Sequence, residues 1–189
     1  MTFTPPRRTA VRPWNHLKIG LFGGTFNPPH DGHLHICDVA LKKGDFDFIW
    51  WMVTPQNPLK SGHHIPDFEE RMAWSRAAIH HPRVLVTDIE QQIGTYKSID
   101  TIKKLKTTFP KTHFTFIAGT DNAMNLHKWE EWQCLMKEVP FMFIARPPAI
   151  DLVKKYPARI IHHGDLQWIL ETKLVDRSST QIRRERSFS

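Results

Sequence analysis

His30 and His33 lie three residues apart in the stretch Gly23-Gly24-Thr25-Phe26-Asn27-Pro28-Pro29-His30-Asp31-Gly32-His33, and the residue types around them suit the binding of an anion. A neutral imidazole donates one hydrogen bond and gains charge readily as negative charge builds up beside it. Glycine lacks a β-carbon, so the backbone at Gly23-Gly24 can approach phosphate oxygens closely. The N–H groups of a helix beginning near Gly32 would point at the same anion. Pro28 and Pro29 fix the direction of the loop and lower the entropy cost of holding both histidines toward one point. Such a set of donors grips phosphates and stabilises charge in a transition state; it contains no nucleophile paired with a base.

A loop of this kind needs a strand before it and a helix after it. The apolar run 17–22 supplies the strand, and residues 32–43, closed by Gly44, supply the helix. The pattern recurs, with strands expected at 46–53, 84–87, 114–118 and 141–145. Helices are expected at 67–80, opened by Asp67 with Glu70 in capping-box position, at 98–109, stopped by Pro110, and at 130–139. After Arg146-Pro147-Pro148 come short strands at 159–162 and 168–175 and a polar helix start at Ser178-Ser179-Thr180. The strands are apolar on both faces, which predicts an α/β fold: a Rossmann-like, doubly wound, mainly parallel sheet with helices on both faces. Residues 17–189 are expected to form this single domain, and 1–16 a flexible basic tail. Ligands of such sheets bind beyond the carboxyl ends of the strands, where strand order reverses. The first strand runs into Gly23-Gly24 and the fourth into Gly119-Thr120-Asp121-Asn122, so these two strands are expected to be neighbours with the crevice between them.

Composition narrows the partners. The 26 Lys+Arg against 19 Asp+Glu give a net charge of +7, which favours polyanionic company. Much of the excess sits near the ends, in Arg7, Arg8 and Arg12 and in Arg177, Arg183, Arg184 and Arg186, with no basic face or nucleic-acid-reading motif. A phosphorylated small ligand is therefore expected rather than nucleic acid. No apolar run approaches the ~18 residues of a membrane span, so no membrane role is expected. Cys37 and Cys134 match no metal or disulfide spacing and are expected as core thiols of a reducing cytoplasm. The pairs His63-His64, His80-His81 and His162-His163 point apart on any regular element, so no metal site held by protein side chains is expected. Trp50, Trp51 and Trp74 are expected in the core.

His30-Asp31-Gly32-His33, placed after a strand and at a helix start, resembles the His-x-Gly-His mark of the nucleotidylyltransferase superfamily. Residues 51–60 (WMVTPQNPLK), 119–129 (GTDNAMNLHKW), 143–147 (FIARP) and 178–183 (SSTQIR) resemble successive motifs of bacterial nicotinate-nucleotide adenylyltransferases, in that family's order. The resemblance covers nearly everything after Leu17. It implies transfer of the adenylyl group of ATP to nicotinic acid mononucleotide by direct in-line displacement, giving deamido-NAD and pyrophosphate in NAD biosynthesis.

Residue by residue, it implies that His30 and His33 are catalytic, with His33 stabilising the transition state. Gly23, Gly24, Thr25, Phe26, Ser179, Thr180 and Arg183 are assigned to ATP, and Asn27, Lys60, Ser98, Asp121 and Trp129 to the mononucleotide, with Trp129 beside the pyridine ring. Magnesium is expected as cofactor, carried mainly by the substrate phosphates. The chain departs from the family where many relatives read Ser-Tyr-Thr-x-Asp-Thr: Lys97 stands for the tyrosine and Ser98 for the threonine. Glu130 stands where an aromatic commonly follows Trp129, and its side chain is expected to face solvent. Two alternatives remain open at this point: a related transferase using nicotinamide mononucleotide or phosphopantetheine, and a basic nucleic-acid-binding module without turnover.

Overall fold

The computed structural model describes residues 4–55, 65–145 and 166–170. Among them, six parallel strands form one sheet in the order β3-β2-β1-β4-β5-β6. They are β1 (Lys18–Gly24), β2 (Phe48–Val53), β3 (Val84–Thr87), β4 (His113–Gly119), β5 (Phe141–Ala145) and β6 (Leu166–Leu170). The chain winds from β1 outward through β2 to β3, then returns to lay β4 on the other side of β1. The expected neighbours are therefore paired, up to Phe22 beside Ile117, and Gly23-Gly24 and Gly119 emerge on the two sides of the switch point.

The helices are α1 (Asp31–Lys43), α2 (Phe68–Ala78), α3 (Ile89–Ile93), α4 (Ser98–Thr108), α5 (Thr120–Asn125) and α6 (Trp132–Glu138). Alternation along each strand divides the core. Ile19, Leu21, Trp50 and Met52 pack with Ile99, Ile102 and Leu105 of α4 and Leu135 and Met136 of α6. Phe22, Trp51 and Val53 pack on the opposite face with Cys37, Val39, Ala40 and Leu41 of α1 and Met72 of α2. Asp67 caps α2 by accepting the Glu70 N–H at 2.8 Å. None of the described helices is long and apolar enough to cross a membrane.

Several expectations are corrected. Residues 4–16 are not a loose tail. Arg12–Trp14 form a 3-10 turn, and Trp14, 2% exposed, sets its ring edge-on to Phe48 and Trp50. The Thr112 hydroxyl donates to the Trp14 carbonyl, and Gln92 exchanges hydrogen bonds with Pro6 and Arg8. Trp74 is only half-buried, because the buried face of α2 is Arg71, Met72 and Ser75 and the tryptophan falls at its edge. Cys37 is buried as expected, but Cys134 is exposed: the short helix α6 buries only Leu135 and Met136. The expected helix 130–139 is shortened to α6 by the 3-10 turn Leu126–Lys128 and by Glu131, whose φ of 50° is left-handed. The expected strand 159–162 and the helix start at Ser178 lie outside the described residues, while β6 covers part of the strand expected at 168–175.

Candidate active site

The first loop is built from its aromatic floor upward. Phe26, 2% exposed and at φ 48°, turns back beneath the end of β1 and stacks on Trp51, with ring centroids 4.0 Å apart. A β-carbon on Gly24 would meet the Phe26 ring at 2.9 Å, so glycine is required there by the ring beneath it. No such crowding exists at Gly23, where the nearest atom would be 3.6 Å away. Phe26 is thus part of the wall behind the loop, its ring buried against Trp51. Thr25 is buried and Asn27 half-buried.

On this floor stand the two histidines, at the N-terminus of α1. His30 Nδ1 accepts the Gly32 N–H at 3.1 Å, and His33 Nδ1 accepts the His30 N–H at 3.3 Å. A neutral ring accepting at Nδ1 carries its proton on Nε2, so the helix cap fixes the tautomer in which Nε2 is the donor. The two rings lie 3.7 Å apart, tilted by 30°, and His33 is set edge-on against Phe26 at 5.1 Å. Two oriented imidazoles and a helix N-terminus converge where β1 ends, an arrangement suited to a phosphate that gains charge.

Sequence reasoning missed the residue that holds this loop to its neighbour. Arg71 of α2 is 2% exposed and bonds only to backbone carbonyls among the described residues. Nη1 donates to Thr25 (2.9 Å) and Thr54 (2.8 Å), Nη2 to Pro55 (3.1 Å) and Nε to Pro66 (3.1 Å). One planar fork therefore ties together the exits of β1 and β2 and the approach to α2. Burial lowers its pKa, and nearby Asp67 opposes that shift. In sequence, an arginine in a polar helix reads as solvated; only the carbonyls it meets, 5 to 46 residues away, give it a role.

The other described residues expected at the site lie past β4 and at the start of α4. Asp121 is exposed in the first turn of α5, and Trp129 is half-buried with its ring edge-on to Phe116 at 5.7 Å. Ser98 opens α4, half-buried. Glu130 is exposed, as expected, and pairs with Lys97 at 2.7 Å, which joins the Trp129 turn to the Ser98 turn. Lys60, Ser179, Thr180 and Arg183 lie outside the described residues.

Glu90 of α3 is a buried carboxyl, 4% exposed. Thr101 Oγ1 donates to Glu90 Oε1 (3.0 Å) and is hydrogen-bonded to the Thr95 hydroxyl (3.0 Å). Burial pushes Glu90 up from 4.5 to about 7, and hydrogen bonds from Thr54 and Thr101 oppose the rise. Between those values the folded protein holds a proton that the unfolded chain releases. The stability this confers is fully present below pH 4.5 and is lost as pH rises toward about 7. Glu90→Gln should therefore flatten the pH profile and raise stability by about 3 kcal/mol at neutral to basic pH. Urea unfolding at acidic and mildly basic pH checks this; a variant no more stable than the parent above neutrality would refute it.

The pattern of the cytidylyltransferase-like family matches residues 21–185. A relative from Cereibacter sphaeroides, named "probable nicotinate-nucleotide adenylyltransferase", is 40% identical across 88% of this chain and 97% of its own length. One of the same name from Ruegeria pomeroyi is 46% identical over 68% of this chain and 60% of its own length. In fold, the chain is similar to the Plasmodium falciparum nicotinic acid mononucleotide adenylyltransferase complexed with NaAD, with a TM-score of 0.73 and 22% identity over 89% of this chain and 83% of that one. The same Plasmodium protein complexed with APC gives 0.71.

Proposed function

Since the chain belongs to the cytidylyltransferase-like family and, within it, to the nicotinate-nucleotide adenylyltransferases, we propose that it transfers the adenylyl group of ATP to nicotinic acid mononucleotide, releasing pyrophosphate and forming deamido-NAD. The observation that carries this is the pair of cap-oriented histidines at the β1/β4 switch point. The mononucleotide phosphate attacks the α-phosphorus of ATP in line, and pyrophosphate leaves from the opposite side. His30 and His33 donate to the phosphoryl oxygens as charge accumulates, and Gly23 and Gly24 let the backbone approach. Ser179, Thr180 and Arg183 complete the grip on ATP, and Lys60 and Asn27 meet the mononucleotide. Asp121 accepts from a ribose hydroxyl.

Magnesium, the expected cofactor, would be carried by the triphosphate and would neutralise part of its charge. The described residues contain no group of three His, Cys, Asp or Glu side chains that could hold a metal, and the donors at the loop are nitrogens. Such N–H donors suit phosphate oxygens rather than a cation, which the substrate phosphates would hold.

A carboxylate only accepts hydrogen bonds, whereas an amide also brings two N–H donors, so a pocket lined by backbone N–H groups would favour the acid, and the turns at Ser98 and after Trp129 are the segments expected to supply those donors. The expected preference over nicotinamide mononucleotide is at least ~100-fold in kcat/KM. Pyrophosphate release from magnesium ATP with the acid, the amide or phosphopantetheine as acceptor tests it. Equal efficiency with acid and amide would make the enzyme dual-specific, and release with phosphopantetheine alone would overturn the assignment.

A further inference from the structure

Lys97 and Glu130 join the two segments assigned above to the pyridine ring. Lys97 immediately precedes Ser98, Glu130 immediately follows Trp129, and the Lys97 ammonium meets Glu130 Oε1 at 2.7 Å. Two further pairs continue the same seam away from the mouth, Lys103 with Glu131 at 3.8 Å and Lys106 with Glu138 at 2.9 Å. Lys97 is the most enclosed of the three lysines, 31% exposed against 57% for Glu130. The turn that presents Trp129 and Glu130 runs into Glu131, which adopts the left-handed region at φ 50°, a conformation disfavoured for an L residue.

The two mononucleotides differ at one ring substituent, which is anionic in the acid and neutral in the amide. A charge beside that substituent therefore discriminates between them, while a charge near the shared phosphate does not. Glu130 alone would repel the acid, and Lys97 alone would attract it; held together they cancel near the ring.

We propose that Lys97 and Glu130 are specificity-determining residues, a balanced charge pair beside the pyridine site whose net charge sets the ratio of acid to amide turnover. The inference rests on the functional reading above. Lys97→Met leaves Glu130 uncompensated and should lower the acid-to-amide ratio of kcat/KM about fivefold, mainly by raising KM for the acid. Glu130→Gln should raise the ratio by a similar factor, and the double variant should return close to the parent. Fivefold is the scale of one partly screened charge, and the shifts should shrink in high salt. A pair that only fastens α4 to the Trp129 turn would change both mononucleotides alike and leave the ratio fixed.

Steady-state kinetics of the parent and the three variants with both mononucleotides decides the matter. Single variants that move the ratio in opposite directions, with restoration in the double, support the proposal. An unchanged ratio, or both singles moving it the same way, overturns it while leaving the adenylyltransferase reading intact. A folded parent that turns over neither mononucleotide overturns that reading instead, and this inference with it.

Discussion

His33→Ala is expected to lower turnover by ~10²-fold or more, the scale of removing one preorganised donor to a developing charge. The fold should survive the change. His33 accepts the cap bond from the His30 N–H at 3.3 Å and makes ring contacts with His30, Phe22, Phe26 and Trp51, so its loss is expected to cost about 1–2 kcal/mol. The loss should fall on kcat more than on the KM for ATP, because the extra charge is made only on the way to the transition state. His30→Ala should cost less in rate and about as much in stability, since its Nδ1 caps the Gly32 N–H. Single-turnover rates alongside thermal melts of the same samples separate the two effects. A His33→Ala protein that turns over near the parent rate would remove this ring from the chemistry.

The histidine loop was readable because most of its residues act through local rules. Glycines, prolines and a helix start at His30 act over a few residues, and the strand and helix flanking them carry strong periodic patterns. The pairing of β1 with β4 also followed, since two strand ends carried ligand-binding residue types and a doubly wound sheet has one reversal. Long-range polar contacts had no such signature. Glu90 has the look of an ordinary charge on a short helix, and its meaning comes from the Thr101 and Thr95 hydroxyls packed over it. Trp14 sits among prolines and arginines and reads as tail, yet Phe48 and Trp50 leave an aromatic edge that it covers. Lys97 and Glu130 were visible one by one as departures from a familiar pattern; that they meet depends on how α4 lies against the Trp129 turn.

Arg71→Met should be the most damaging change to stability near the site. Methionine keeps much of the apolar stem but removes every donor, leaving the carbonyls of Thr25, Thr54, Pro55 and Pro66 without the bonds they now accept. Charge-assisted hydrogen bonds of this kind contribute about 1.5–3 kcal/mol each, but the carbonyls can recover part of that from water once the loops part. A net loss of about 3–5 kcal/mol is expected, lowering the melting midpoint by roughly 10 °C. Arg71→Lys cannot reproduce a planar fork with donors on both nitrogens and should recover only a minor share. The kinetic consequence is separate from the thermodynamic one. Thr25 lies in the loop proposed to hold ATP and Thr54 leads out of β2, so parting them should raise the KM for ATP and lower kcat even in cold samples that are fully folded by circular dichroism. An Arg71→Met protein that melts within a degree or two of the parent and binds ATP normally would show that the carbonyls find other donors, and that the guanidinium does not hold the loops.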